Sequence, residues 1–231
     1  MIKESQIRLS DLIMCLSSAL DLVSPALVNH QKRVAYIALS IANEMGLSIE
    51  DQNSLVLAGL LHDSGALSLR ERLDTLQFEI RNPHQHAEIG YLLLKEFEPF
   101  SKAALLVRHH HVPWNEGAGA EFRGEPVALG SHILHLADRI EVSIRKQQEV
   151  LGQVEKICGR IENFSGKMFM PEVVNTFNHL DTHLAAKEYF WLDTISPSVD
   201  TLSLRQQDLA TIPISLEGLL NLANIFRQII D

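Results

Sequence analysis

The sequence has only two cysteines, Cys15 and Cys158, in 231 residues. They are too few and too far apart for a disulfide framework or a zinc knuckle, so both read as buried thiols. Aromatic residues are scarce, 6 % against 46 % hydrophobic overall, which leaves Leu, Ile, Val and Ala to build the core. No apolar run approaches the eighteen or so residues of a membrane span. The N-terminus, MIKESQIRLSDL, has no basic start leading into an apolar stretch. A cytoplasmic chain with no membrane partner is the expectation. Positive charge is short as well: 20 Lys and Arg stand against 29 Asp and Glu, a formal −9. That balance argues against a nucleic-acid polymer held by counterion release. A small phosphorylated ligand stays open, because bound metal ions reverse the sign locally. Convincing period-two alternation is missing throughout, so the chain reads as all-α.

Helical periodicity is what the sequence has in place of these. Residues 6–22 carry Leu9, Leu12, Ile13, Leu16 and Leu20 at helical spacing. Ser24 and Pro25 look like an N-cap and first-turn proline for a helix from about Ala26 to Met45, closed by Gly46. Ser48 and Asp51 resemble a capping box for the next helix, which runs to His62 and Asp63. Leu67 to Asn82 reads as loop with a short helix. Pro83 opens a helix with His86 in its first turn and Leu92 to Leu94 on its buried side, and Phe100 to His111 forms another. Val112 to Pro126 has three glycines, two prolines and no period, an aperiodic length that usually has a functional reason. Helices are expected from Pro126 or Val127 to Ile144, from Gln147 to Glu162, from Pro171 to Phe190 and from Leu216 to Ile230. The division expected is an N-terminal helix at 1–25, a main domain at 26–195, and a linker with a helix at 196–231. The apolar end of that helix suggests entry to a further domain or pairing with a second copy as a homo-oligomer.

Histidine is the one chemically active residue in excess: eleven in all, nine of them between positions 30 and 135. The stretch Leu57–Ala66, LAGLLHDSGA, ends an apolar helix pattern in adjacent His62 and Asp63. A carboxylate at the foot of an apolar segment is costly to bury unless a cation meets it. Aspartate offers two oxygens, so an HD pair is the smallest unit that can serve two ions. The plain alternative is a polar helix terminus, with Asp63 exposed and Gly65 as C-cap. His30, His62, His86, His110 and His111 fall at or near the ends of successive expected helices, ends that a bundle can bring together. Asp63 and Asp138 supply carboxylates. Such donors suit iron, manganese or zinc better than calcium or magnesium.

HD at 62 and 63, HAEIG at His86, the HH pair at 110 and 111, and LADRIEV around Asp138 resemble the HD superfamily of metal-dependent phosphohydrolases, specifically its HD-GYP branch. The likeness runs from about Leu27 to Leu180 and includes GKMFMPEVVNTF. It implies a helical bundle around a dinuclear centre of two divalent transition-metal ions, iron or manganese favoured and zinc the other candidate. It also implies hydrolysis of a cyclic dinucleotide or other phosphoester by hydroxide held between the ions. The metal positions it implies are His30, His62, Asp63, His86, His110, His111 and Asp138, with Asp63 as the bridge and catalytic residue. Departures accompany it. The lysine of the usual HD-x-G-K is Ala66, the glutamate after the histidine pair is Val112, and the Tyr-Pro of the GYP loop is gone, although Trp114 survives with Asn115 after it. Ala26 stands where members with a third metal carry glutamate. The rival reading is therefore a signalling module that keeps fold and metals but senses instead of cutting.

The remaining candidates have ordinary readings. His84 and His109 neighbour the metal positions without matching them, and His132 and His135 suit packing or hydrogen bonding to Asp138 or its neighbours. His179 and His183 form an i, i+4 pair without a carboxylate motif. Arg33 is a candidate to orient a carboxylate. Arg108, Arg123 and Arg139 are candidate phosphate contacts, and Trp114 is a candidate to stack on a base.

Overall fold

The computed structural model describes residues 24–182, 184–197 and 216–230, together with 13, 14, 17, 18 and 202. In chain order the helices are α1 His30–Glu44, α2 Ile49–Leu61, α3 Leu69–Thr75, α4 Pro83–Leu94, α5 Ser101–His109, α6 Leu129–Ser143, α7 Val154–Asn163, α8 Pro171–Thr182, α9 Leu184–Ile195 and α10 Leu216–Ile230. Two-residue strands, β1 Glu121–Phe122 and β2 Glu125–Pro126, pair antiparallel between α5 and α6. The fold is all-α, as the missing alternation implied.

Helix α1 is the axis of the core. Val34, Ala35, Ile37, Ala38, Ile41 and Ala42 are all fully buried on one side, and Arg33, Tyr36 and Leu39 extend the buried surface round most of the helix. A helix buried on most sides has to be surrounded, and α2, α6, α8 and α9 pack around it. The α1–α2 crossing is close because Gly59 has no side chain: a Cβ there would lie 2.6 Å from the Cα of Ala35. This crossing sets the depth of His62, one turn beyond Gly59. Helix α4 pairs with α5, and α5 also packs on α2 and α6.

Local signals account for most boundaries. Gly46, at φ +68°, turns the chain out of α1, and Ser48 Oγ accepts the Asp51 amide at 3.1 Å to start α2. Ser68 and Glu71 form a full capping box at α3. Pro83 and Pro171 each occupy the first position of a helix.

Several expectations are corrected. The helix opened by Ser24 and Pro25 does not run through to Met45. It is a single 3-10 turn, Pro25–Leu27, and Asn29 at φ 60° in the left-handed region breaks it from α1, which begins at His30. Of Leu92 to Leu94 only Leu94 is buried, with Leu92 46 % exposed; three consecutive residues span too much of a helix for all to face one core. The helix expected from Pro171 to Phe190 is helical over Pro171–Thr182 and Leu184–Ile195, on either side of residue 183, which lies outside the described residues, and it runs past Phe190 to Ile195.

Val112 to Pro126 is built, not free. The amides of Trp114, Asn115 and Glu116 donate to the carbonyls of Met168, Lys167 and Gly166. Arg123 and Gly124, both at positive φ, turn the hairpin between β1 and β2. The helix predicted over residues 6–22 falls largely outside the described residues, although Ile13, Met14 and Ser17 are buried. In α10, Leu222 and Ile225 are buried while Leu220 is 58 % exposed. Asn221, Asn224, Ile225 and Gln228 line a groove with Leu92, Leu93 and Glu96 of the α4 region. Cys158 is half-buried and Cys15 lies outside the described residues. Among the described residues no helix is long and apolar enough to cross a membrane.

Candidate metal centre

All seven predicted positions converge in the interior, and none is more than 6 % exposed. His30 opens α1, His62 and Asp63 follow α2, His86 lies in the first turns of α4, His110 and His111 follow α5, and Asp138 faces inward from the middle of α6. They form two groups. In the first, donor atoms of His30, His62 and Asp63 lie within 4.8 Å of one another. Asp138 Oδ1 joins them at 3.7 Å from Nε2 of both histidines. In the second, His86, His110 and His111 meet the same 4.8 Å limit, with Nε2 of His86 and His111 3.0 Å apart.

Asp63 stands between the groups. Its Oδ2 is 3.5 Å from His30 Nε2 and 3.4 Å from His62 Nε2, while its Oδ1 is 3.6 Å from His86 Nε2. One carboxylate thus presents a different oxygen to each group. The exposed Asp63 of the plain helix-terminus reading is excluded, since Asp63 is 5 % exposed. Gly65 is not a left-handed C-cap either. Its φ is not positive, and a Cβ there would stand 2.0 Å from the His86 carbonyl oxygen and 2.4 Å from the Gly90 nitrogen. The missing side chain lets the turn after α2 press onto α4, which brings Asp63 to His86.

The far sides of the rings are fixed. His62 Nδ1 donates to the Gly59 carbonyl at 2.9 Å and His110 Nδ1 to the Val107 carbonyl at 2.6 Å. Both acceptors belong to the last turn of a helix, where carbonyls lack intrahelical partners. His30 Nδ1 meets Glu141 Oε2 at 2.5 Å, and Glu141 Oε1 accepts Arg33 Nε at 2.7 Å. Asp63 Oδ2 accepts the Thr75 hydroxyl at 2.8 Å, and Asp138 Oδ2 accepts Arg139 Nη2 at 2.5 Å. With Nδ1 engaged, each of these three imidazoles turns Nε2 inward, the arrangement outer partners impose on metal-binding histidines.

The inward atoms give the test of fit. His30 Nε2, His62 Nε2, His110 Nε2, Asp63 Oδ1 and Asp138 Oδ1 are buried without a hydrogen-bond partner. Buried polar atoms are normally paired, and five such atoms of nitrogen and oxygen type facing one space are matched by divalent metal ions.

The charge environment agrees. Burial works against charge on His30, yet Glu141 and then Asp63 overturn it and raise its pKa to about 10. Burial opposes His62 in the same way, and Asp63 and Asp138 again prevail and raise it. This side of the cluster therefore favours positive charge. Burial, then neighbouring rings, holds His110 and His111 well below the usual histidine range, and burial also lowers His86. Those rings are neutral near pH 7, with lone pairs available.

Glu141 is the main residue that sequence reading missed. The signal was there: it stands three positions after Asp138 on α6, so both face the same way. Replacing Glu141 by Gln frees the His30 ring and should weaken metal binding about 10–100-fold, read by competition against a chelator. An unchanged affinity would show that His30 is held by packing alone. Thr75 had no readable signal.

Other candidates fall outside the cluster. His84 stacks on Phe122 at 4.8 Å between ring centroids, and His109 lies edge-on to the same ring. His132 packs under Trp114, and His135 touches His111 and Phe169 edge-on. Burial holds His132 near about 4 and His135 near about 3. Trp114 thus packs its segment down against His132. Arg108 pairs with Glu88 and Glu125 at the surface, and Arg123 lies over Phe122. Arg139 is 1 % exposed, and its Nη1 and Nη2 are engaged by Asp138 and by the carbonyls of residues 75, 77 and 78. His179 is exposed and His183 lies outside the described residues.

A helical bundle that turns histidines and two aspartates onto one buried space defines a metal-binding class of protein. The chain belongs to the HD domain family, whose model matches residues 27–143. It is 25 % identical over 240 residues to a 3'3'-cGAMP-specific phosphodiesterase of Vibrio cholerae, covering 99 % of this chain and 54 % of that protein. It is 27 % identical over 166 residues to a cyclic di-GMP phosphodiesterase of Thermotoga maritima, covering 67 % of this chain and 45 % of that one. The chain thus spans about half the length of these curated relatives. The crystal structure of a cyclic GMP-AMP specific phosphodiesterase of V. cholerae shares the fold, with a TM-score of 0.73 at 20 % identity over 98 % of this chain and 61 % of that one.

Proposed function

We propose that this chain is a metal-dependent phosphodiesterase of the HD-GYP type, acting on a cyclic dinucleotide at a dinuclear centre. The observation that carries the reading is the split of Asp63, with one oxygen toward His30 and His62 and the other toward His86. His30, His62, Asp63 and Asp138 would hold one ion, and His86, His110, His111 and Asp63 the other. Iron or manganese fits the mixed imidazole and carboxylate donors best. Bound there, two divalent ions supply Lewis acidity to a phosphoryl oxygen and make water acidic enough to serve as nucleophile near neutral pH.

The chain's own residues do the rest. Asp63 and Asp138 offset the charge of the ions, and Gly59, Val107 and Glu141 hold three rings with Nε2 inward. Thr75 fixes the Asp63 carboxylate by donating to Oδ2. The two cyclic-dinucleotide relatives support the substrate class.

Ala66, fully buried with a methyl group where the family carries lysine, favours a second reading, a binding module with slow turnover or none. The test is protein loaded with manganese or iron and offered 3'3'-cGAMP and cyclic di-GMP. Hydrolysis is expected, with cyclic di-GMP turned over weakly, because a contact absent from the transition state cannot lower its barrier. Tight binding of either dinucleotide with no product favours the binding module. Metal-loaded protein that neither binds nor cuts a cyclic dinucleotide would refute both.

A further inference from the structure

A cyclic dinucleotide has two phosphates, and the metal centre accommodates the one being cut. The other lies several bonds away across a ribose and needs counter-charge of its own. Most arginines near the site are committed. Arg139 is buried on Asp138 and three carbonyls. Arg72 is 6 % exposed with Nε on the Ala66 carbonyl at 2.8 Å. Arg108 is tied to Glu88 and Glu125.

A cleft of about 490 Å³ opens beside the centre, and His86 and Thr75 form part of its wall. His86 belongs to the second histidine group, and the Thr75 hydroxyl sits on Asp63. Two cations line this cleft, Arg70 from α3 and Arg81 from the segment between α3 and α4. Both are exposed, and no ion pair is recorded for either among the described residues. Of the acids in the same wall, Glu71 is engaged by the amide and hydroxyl of Ser68. Asp74 makes only a long contact, 3.5 Å, with Gln77. A second cleft of about 330 Å³ shares Ile80 with the first, and its wall mixes apolar side chains such as Phe78, Pro113 and Met168 with Glu79, His111 and the committed Arg139. The exposed cations of the two cleft walls, Arg70 and Arg81, thus both stand in the first cleft.

We propose that Arg70 and Arg81 grip the second phosphate of a two-phosphate substrate and so set a preference for cyclic dinucleotides over diesters with a single phosphate. The proposal rests on the phosphodiesterase reading above. Two guanidinium groups on one phosphate form charge-assisted, fork-like hydrogen bonds, which are stronger than neutral ones. The grip also moves the missing cation from position 66, inside the turn, to the wall of the cleft. A phosphate held there orients the ring without touching the bond that breaks, so its loss should appear in KM more than in kcat.

The variant that tests this is Arg70→Met with Arg81→Met, since neither side chain is in the core and metal content and helical circular dichroism report whether the centre survives. The KM for 3'3'-cGAMP is expected to rise about tenfold or more. The ratio of kcat/KM for 3'3'-cGAMP to that for bis(p-nitrophenyl) phosphate should fall by about the same factor. Calorimetric binding of 3'3'-cGAMP to metal-free protein at two salt concentrations gives a readout without turnover. Affinity should drop in the variant and depend less on salt. Arg70→Lys with Arg81→Lys should recover part of the affinity, because charge returns without the fork. A double methionine variant with the parent's KM, preference ratio and salt dependence overturns the proposal and leaves the phosphodiesterase reading standing. A parent chain that neither binds nor cuts cyclic dinucleotides overturns both.

Discussion

Asp63→Ala should lose bound metal more completely than any single histidine substitution. Each histidine serves one group of donors, whereas Asp63 lies 3.4–3.5 Å from two rings of the first group and 3.6 Å from His86 of the second. Without it the first group keeps Asp138 as its carboxylate, and the second keeps only the imidazoles of His86, His110 and His111. Removing one of two negative charges from a site proposed to take two dications also raises the repulsion between the ions, which a buried setting screens poorly. Losing an outer partner of a metal ligand costs about 10–100-fold, so the loss here should exceed about a hundredfold in affinity and in turnover. His135→Ala is the control. Its ring is buried but meets His111 only edge-on at 5.6 Å between centroids. Metal analysis after gel filtration settles the point, and equal metal content in the two variants would remove the bridging role from Asp63.

How much of this was legible depended on how local the cause was. Gly46, Ser48, Pro83 and Pro171 mark boundaries through one residue's own backbone or side chain, and the structure places boundaries there. The seven site positions came from a family likeness, because neither periodicity nor spacing says which helix ends meet. Meeting required the α1–α2 crossing at Gly59 and the contact of Gly65 with α4. In sequence Gly59 looks like an ordinary small residue of an apolar run and Gly65 like the end of a helix. The reading of Gly65 as a C-cap failed for that reason: glycine serves left-handed turns and close approaches alike, and only the packed neighbour tells them apart. Asn29 failed differently. Asparagine tolerates the left-handed region better than most residues, but its presence alone does not say that it adopts it, and the break it makes puts His30 at the start of α1, where its ring meets Glu141 across 111 residues of chain. The aperiodic stretch Val112 to Pro126 was rightly outside helix, yet its docking on residues 166–168 uses backbone groups and leaves no side-chain pattern.

Arg139→Met is expected to cost the fold about 3–5 kcal/mol, the usual consequence of breaking a buried charge pair from one side. Arg139 is 1 % exposed. Its guanidinium reaches Asp138 Oδ2 and the carbonyls of Thr75, Gln77 and Phe78, so methionine fills the volume and strands one carboxylate and three carbonyls. Water has little access to replace those bonds, and each stranded group brings its own desolvation penalty. The three carbonyls belong to the end of α3 and the chain that leads on toward α4, which lines both clefts beside the centre. Order there and the aim of Asp138 are thus held by one side chain. Arg139→Lys should recover only part of the loss, because a single ammonium cannot span the same acceptors.

The effect depends on pH in a definite direction. Burial pushes the Asp138 carboxyl up, but Arg139 and then His62 outweigh it and hold it well below the usual range. A carboxyl depressed in the folded state contributes stability above its unfolded value of about 4 and loses it as pH falls toward the folded one. Methionine at 139 removes much of that depression, so the gap between variant and parent should be widest near neutrality and narrow below about pH 4. Thermal unfolding of chelator-treated protein keeps metal linkage out of the comparison. For a chain of this size the loss corresponds to a fall in Tm of about 10 °C near pH 7. A Tm within a degree or two of the parent at pH 7 would show that Arg139 can be replaced by packing alone, and that Asp138 is held by its histidine neighbours.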